Sequence, residues 1–145
     1  MNLLNETLIL ILPIYTDTGD CTLLKTTASS EIFEKSIKSI LNRLFFMTSQ
    51  DPKSIKLKLR EQGIKNTPPL IIGSDIFVKI KVRKPRASND KAYGYINTDF
   101  IEKVVLRDDK VVLTLKDDTE LEILDRYSTI SKNITIATSV EIDNF

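Results

Sequence analysis

Histidine and tryptophan are both absent from this sequence, cysteine occurs once, and glycine occurs only four times. Without histidine, imidazole acid–base catalysis and histidine-ligated metal sites are excluded. The single thiol, Cys21, forms no internal disulfide and has no imidazole to activate it as a nucleophile. It fits a reducing, cytoplasmic setting. No phosphate-cradling glycine loop is present. An enzyme is therefore not expected, and neither is a cofactor or a bound metal. No apolar stretch reaches the ~18 residues that would span a bilayer. The first fourteen residues, MNLLNETLILILPI, contain only the short apolar run Leu8 to Leu12, and Asn5 and Glu6 stand where a secretory leader carries lysine or arginine. A buried strand is the expectation there.

What is present is the composition of a globular protein, 41% hydrophobic and 28% charged over 145 residues, enough for one domain spanning residues 1–145. The net charge of +1 conceals a segregation. Between Lys53 and Lys91 stand eleven basic residues against three acidic ones, a local charge of +8, while the remaining ten basic and seventeen acidic residues sum to −7. One region thus suits a polyanion and the rest solvates itself.

Local patterning implies an α+β fold of mostly antiparallel strands with two or three helices. Thr7–Tyr15 and Cys21–Thr26 read as a hairpin about Asp17-Thr18-Gly19-Asp20. Ser29 or Ser30 is the expected N-cap of a first helix, with Glu31 in its first turn and an apolar stripe of Ile32, Phe33, Ile37, Ile40, Leu41 and Leu44. Residues 51–64 carry two signals. Asp51-Pro52 and Gly63 punctuate a helix, whereas Ile55, Leu57 and Leu59 alternate with Lys56, Lys58 and Arg60 at strand period; the punctuation favours helix.

Pro68-Pro69 forces extended backbone, and Leu70–Ile72 opens a run of strands. In the expected strand Ile76–Arg83, alternation puts Lys79, Lys81 and Arg83 on one face and Val78, Ile80 and Val82 on the other. Residues 84–90 form a polar, basic loop, and Tyr93–Asn97 a further strand. Val104–Arg107, Val111–Leu115 and Thr119–Leu124 read as a meander joined at Asp108-Asp109 and Asp117-Asp118, pairs that suit turns, a hard-cation site being the alternative. Ser128–Ile142 stays open: its β-branched content suits a strand, while Ile130, Ile134, Ala137 and Glu141 mark a helical face capped by Ser128.

The stretch TPPLIIGSDIFVKI, followed by a polar loop and YGYIN, resembles the ComK-type competence transcription factors. Upstream, TLILILPIYTDTGDCTLL is similar to that family's opening hairpin and KSIKSILNRLFF to its first conserved segment; downstream, LKDDTELEILDRYSTISKNITIATSV resembles its meander and final segment. The resemblance runs collinearly over residues 6–140, without one diagnostic motif. It departs where the family's tryptophan and cysteine are Tyr95 and Tyr93 and where its phenylalanine-proline-threonine strand reads Val78-Lys79-Ile80-Lys81. The resemblance implies an activator of DNA-uptake genes that binds A/T-rich boxes, largely through the minor groove, as a cooperative multimer. It also implies control by an adaptor of an ATP-dependent protease.

The residues expected to contact DNA are Lys79, Lys81 and Arg83 on the strand and Lys84, Arg86 and Lys91 around the loop. Same-face neighbours on a strand stand about 6.5–7 Å apart, a spacing that lets successive cations meet successive phosphates. A lysine-protected sheet edge is the alternative. Arg83 and Arg86, flanking Lys84-Pro85, are candidates for reading a narrow A/T minor groove. Lys53, Lys56, Lys58 and Arg60 form a second candidate surface if 52–62 is helical, or else a solvated helix face. Tyr93 and Tyr95 flank Gly94 and either stack on bases or pack. Because the −7 remainder opposes approach to DNA, a homodimer or higher multimer is expected on the duplex. A module docking an acidic protein is the competing function. A non-specific RNA- or single-strand-binding domain is a third reading, disfavoured by the lack of an aromatic platform comparable to the basic surface.

Overall fold

The N-terminal apolar run is buried on both sides because it forms a central strand of a sheet packed on both faces. This is seen in a computed structural model that describes residues 6–142 and 145; the part of the leader reading that rests on Asn5 lies outside them. Strand β1 (Leu8–Thr16) pairs antiparallel with β2 (Gly19–Thr26) across a tight turn in which Gly19 takes φ 112°, a conformation that favours glycine. A bulge between Leu8 and Leu10 breaks the alternation. Leu8 and Ile11 consequently enter one core while Ile9, Leu10 and Leu12 enter the other.

The first helix begins later than its serines suggest. Ser30–Phe33 is strand β3, paired with β2 from Lys25↔Ser30 to Thr22↔Phe33. Helix α1 (Ile37–Met47) is capped by Ser36, whose hydroxyl accepts from the Ser39 amide at 3.3 Å. Neither Ser29 nor Ser30 caps it, and Glu31 lies in the strand. Cross-strand pairing with β2 takes Ile32 and Phe33 out of a stripe they matched by period, leaving Ile37, Ile40 and Leu44 as the buried face. Helix α2 (Pro52–Glu61) forms as its punctuation predicts: Asp51 accepts from the Lys53 amide at 3.1 Å, and Gly63 follows with φ 85°.

Strands β4 (Leu70–Ile72), β5 (Asp75–Lys81) and β6 (Tyr93–Asn97) complete a six-stranded antiparallel sheet of order β3-β2-β1-β6-β5-β4. Strand β5 stops two residues short of Arg83. Beyond Lys81, the amides of Val82 and Arg83 both turn to the Ala92 carbonyl, at 2.9 and 3.4 Å, so Arg83 is not part of the ladder. Strands β7 (Ile101–Arg107), β8 (Lys110–Leu115) and β9 (Glu120–Ile123) form a separate meander. Asp108 and Asp109, at φ 52° and 62°, make its first turn, as a two-residue hairpin loop with left-handed residues requires. The open C-terminal segment is helix α3 (Tyr127–Thr138); it starts at Arg126 without a side-chain cap, and Ser128 lies inside its first turn. Ile130 and Ala137 lie buried on its inner face with Ile134 packed beside them, while Glu141 lies beyond its end.

The described residues thus form an α+β fold with three helices and two sheets. One face of the large sheet packs on the meander and α3 through Val78, Ile80, Ile96, Leu113 and Ile130. The other packs on α1 through Ile11, Leu24, Phe77, Ile40 and Leu44. No helix among the described residues is long and apolar enough to cross a membrane. Lys25 on β2 joins Asp117 in the β8–β9 turn at 2.7 Å, and this bond, with those from Thr119, holds the Asp117 carboxyl at about 2.

The seam of the large sheet lies between β1 and β6, where Leu10↔Ile96 and Ile11↔Tyr95 pair. Gly94 makes room for it: a Cβ there would come within 2.7 Å of both the Ile11 carbonyl oxygen and Leu12 Cδ2. Fully buried Asn97 donates to the Leu8 carbonyl at 2.9 Å and accepts from the Asp99 amide at 3.0 Å. Gly94→Ala is expected to destabilise the fold by about 1–3 kcal/mol through overpacking against backbone, measured by urea denaturation. Burial, and then the neighbouring Asp99, raise the Asp75 carboxyl above the usual range against an opposing hydrogen bond from Asn97. A raised carboxyl favours folding when protonated and loses that contribution as pH rises through its folded-state value. Asp75→Asn should therefore stabilise the chain at neutral pH, with the gain shrinking on acidification; a gain independent of pH would contradict this cause.

Candidate nucleic-acid interface

Alternation along β5 and its register with β6 place Lys79 opposite Tyr95 and Lys81 opposite Tyr93, four side chains on the face that also carries α1. Lys79 lies with its ammonium 4.4 Å from the centre of the Tyr93 ring. The face continues onto β1, where Ile11, Pro13 and Tyr15 share the same side. Helix α1 covers its apolar part and leaves the cationic part open, so Lys79 and Lys81 are half-buried by their stems and Lys84, Arg86 and Lys91 are exposed.

Arg83 departs from the expected set. It is 9% exposed and bonds Asp20 Oδ1 through Nη2 at 2.6 Å and the Lys91 carbonyl through Nε at 2.7 Å. Its Cζ sits 4.0 Å from the Tyr15 ring centre, and its buried Nη1 has no hydrogen-bond partner, so that ring is what offsets the remaining charge. Arg83 is an internal clamp between the β1–β2 hairpin and the basic loop, not an exposed contact. It lies beyond the end of β5 and meets Tyr15 and Asp20, a cross-strand pair of the first hairpin, which bury it.

Tyr15 is the residue the sequence pattern missed. Its hydroxyl donates to Asp90 Oδ2 at 2.5 Å and accepts from the Arg86 amide at 2.7 Å, while Asp90 accepts from the Ala87 amide at 3.3 Å. The Arg86 guanidinium also lies against the Tyr15 ring, at 4.1 Å. Tyr15 and Asp90 are 75 positions apart, and no spacing rule links them. The network shapes the loop and consumes its only acid, leaving Lys84 and the Tyr15-stacked Arg86 exposed. Among the described residues the ion pairs are Lys25–Asp117, Arg83–Asp20, Arg107–Glu120 and Lys110–Glu122, so of the six cations expected at the interface only Arg83 takes part in one.

The helix-side candidates divide. Lys53, Lys56 and Arg60 are exposed, whereas half-buried Lys58 faces the Phe145 ring at 5.8 Å. Lys56 borders a cleft of about 220 Å³ between α2 and the Pro68-Pro69 segment that leads into β4. A second cleft, of about 320 Å³, lies between α1 and the β5–β6 face; the two share Phe45 and Tyr95. Lys38 on α1 lines the second cleft and was not anticipated, since on a helix it reads only as part of a polar face. Burial raises the Tyr95 hydroxyl above its ordinary value, so it stays protonated.

The arrangement sets cations without ion-pair partners among the described residues and aromatic rings on one sheet face, beside a loop shaped by Tyr15 and Asp90. No family model, curated protein or solved structure matches the chain.

The two arginines should separate in mutagenesis. Arg83→Ala strands Asp20 and is expected to cost about 3 kcal/mol of stability, by analogy with broken buried ion pairs. Arg83→Lys should rescue little of it, because an ammonium cannot reproduce the forked contacts to Asp20 and the Lys91 carbonyl. Arg86→Ala should change stability by less than about 1 kcal/mol. Equal losses in urea denaturation would contradict the division into clamp and exposed contact.

Proposed function

We propose that this chain is a DNA-binding transcriptional activator of the ComK type, acting on A/T-rich promoter boxes of DNA-uptake genes in the cytoplasm. The observation that carries the reading is that Lys79, Lys81 and Lys91 border one sheet face and Lys84 and Arg86 the adjoining loop, all five without ion-pair partners among the described residues. A lysine row placed only to protect a sheet edge sits on an edge strand. Here β4 pairs with β5 only from Asp75 to Phe77, but beyond it the Lys81 amide donates to Asp125 at 2.6 Å and its carbonyl accepts from the Leu124 amide at 2.8 Å, so Lys81 does not stand on an open edge. That placement favours a ligand over edge protection. The collinear resemblance supplies the target class.

In this reading Lys79, Lys81 and Lys91 meet the phosphate backbone. Lys84 and Arg86 project from the loop held by Tyr15, and Arg86 enters the narrow, strongly negative minor groove of A/T-rich sequence. Tyr15, Asp90 and Arg83 hold the loop's shape before binding, which lowers the ordering cost on the duplex. The acidic remainder limits what one chain can gain, so two or more copies bind together.

Four phosphate contacts per chain, from Lys79, Lys81, Lys84 and Lys91, correspond to a slope of roughly −3.6 in log affinity against log salt. A titration of A/T-rich and G/C-rich duplexes over salt concentration tests this. Lys84→Ala should weaken both duplexes alike and reduce the slope by about 1, whereas Arg86→Ala should erase the preference between them. Absence of duplex binding at low salt, with tight binding of an acidic protein instead, would replace this function by the docking of an acidic partner.

A further inference from the structure

The cleft of about 320 Å³ between α1 and the β5–β6 face has a chemistry that phosphate contact alone does not use. Its rings are Tyr93, Tyr95 and Phe45, with Leu41 beside them, and its cations are Lys38, Lys79 and Lys91. No carboxylate lines it. Tyr93 is 38% exposed, and the Lys79 ammonium is already parked at its ring. The volume is at the small end of the ~300–1,000 Å³ range of small-ligand sites, enough for one planar group and too little for a folded element. The sequence displays no aromatic platform, yet pairing of β1 with β6 and β6 with β5 brings Tyr15, Tyr93 and Tyr95, three of the four tyrosines, onto the lysine-bearing face.

We propose that this cleft binds a single unpaired nucleotide, its base stacked on Tyr93 and its flanking phosphates held by Lys38, Lys79 and Lys91. The inference rests on the nucleic-acid reading above and deepens it: the ligand is a strand with an unstacked base, as at an opened A/T-rich step, in addition to an intact duplex. An acidic peptide would satisfy the three lysines but leave the ring faces unused. A neutral aromatic ligand would use the rings and leave three cations unmatched. A nucleotide supplies both a planar ring and an anion within one residue's length.

The test measures binding of an oligothymidine strand, an A/T-rich duplex and an oligoglutamate peptide by fluorescence anisotropy. Tyr93→Ala is expected to weaken oligothymidine roughly tenfold or more, as loss of one stacked base does, while Tyr93→Phe stays close to the parent. The salt slope should be unchanged, because no cation is removed. Should alanine lower stability, Tyr93→Leu keeps an apolar strand residue without a ring and carries the same expectation. Unchanged oligothymidine affinity in both ring-less variants overturns the proposal, as does a parent chain that binds oligoglutamate as tightly as oligothymidine. The two readings fail separately: loss of duplex binding with Tyr93-dependent strand binding intact removes only the promoter reading, and the converse removes only the cleft.

Discussion

The close approach of β6 to β1 at Gly94 is the constraint on which the remaining architecture depends. The large sheet is built from two sequence-local units, β1-β2-β3 and β4-β5-β6, and the pairs Leu10↔Ile96 and Ile11↔Tyr95 are the seam that joins them. A side chain at position 94 would meet backbone, which does not yield, so glycine is required by proximity there and not by an unusual φ. Asn97 closes the other end of the seam by satisfying the buried Leu8 carbonyl, whose desolvation would otherwise oppose the junction. Only with the seam formed can the meander and α3 cover one face of the sheet and α1 the other.

The same seam decides the electrostatics. It brings Tyr15 and Asp20 of the first hairpin against Arg83, Arg86 and Asp90 of the basic loop. Two acids that would neutralise the surface are turned inward, one to a guanidinium and one to a phenol, and the exposed cations keep their charge. A buried arginine is tolerated because its donors and its ring contact offset much of the desolvation. The segregated positive charge of the middle of the chain thus divides in three dimensions into a structural arginine and a set of solvent-facing cations.

Features set by nearest neighbours were legible. Asp51-Pro52 and Gly63 bounded α2, the Asp108-Asp109 pair made its turn, and the alternation of β5 put Lys79 and Lys81 opposite Val78 and Ile80. Where two local readings competed, tertiary pairing chose between them. Ile32 and Phe33 suited a helical stripe until β2 offered a partner, and Ser128–Ile142 suited either state until Ile130 and Ala137 found the core. The expected strand Ile76–Arg83 ends at Lys81, and Arg83 is buried against Asp20 and Tyr15, partners that strand period does not encode.

The sequence by itself determined the class of fold, the charge segregation, the hairpins and the second helix, since these depend on residues a few positions apart. Only the tertiary structure decided which strands flank β5, that Arg83 is a clamp, and that Tyr15, Tyr93 and Tyr95 share one face of the sheet. Each of those outcomes joins residues tens of positions apart, through side-chain contacts whose partners no local pattern encodes.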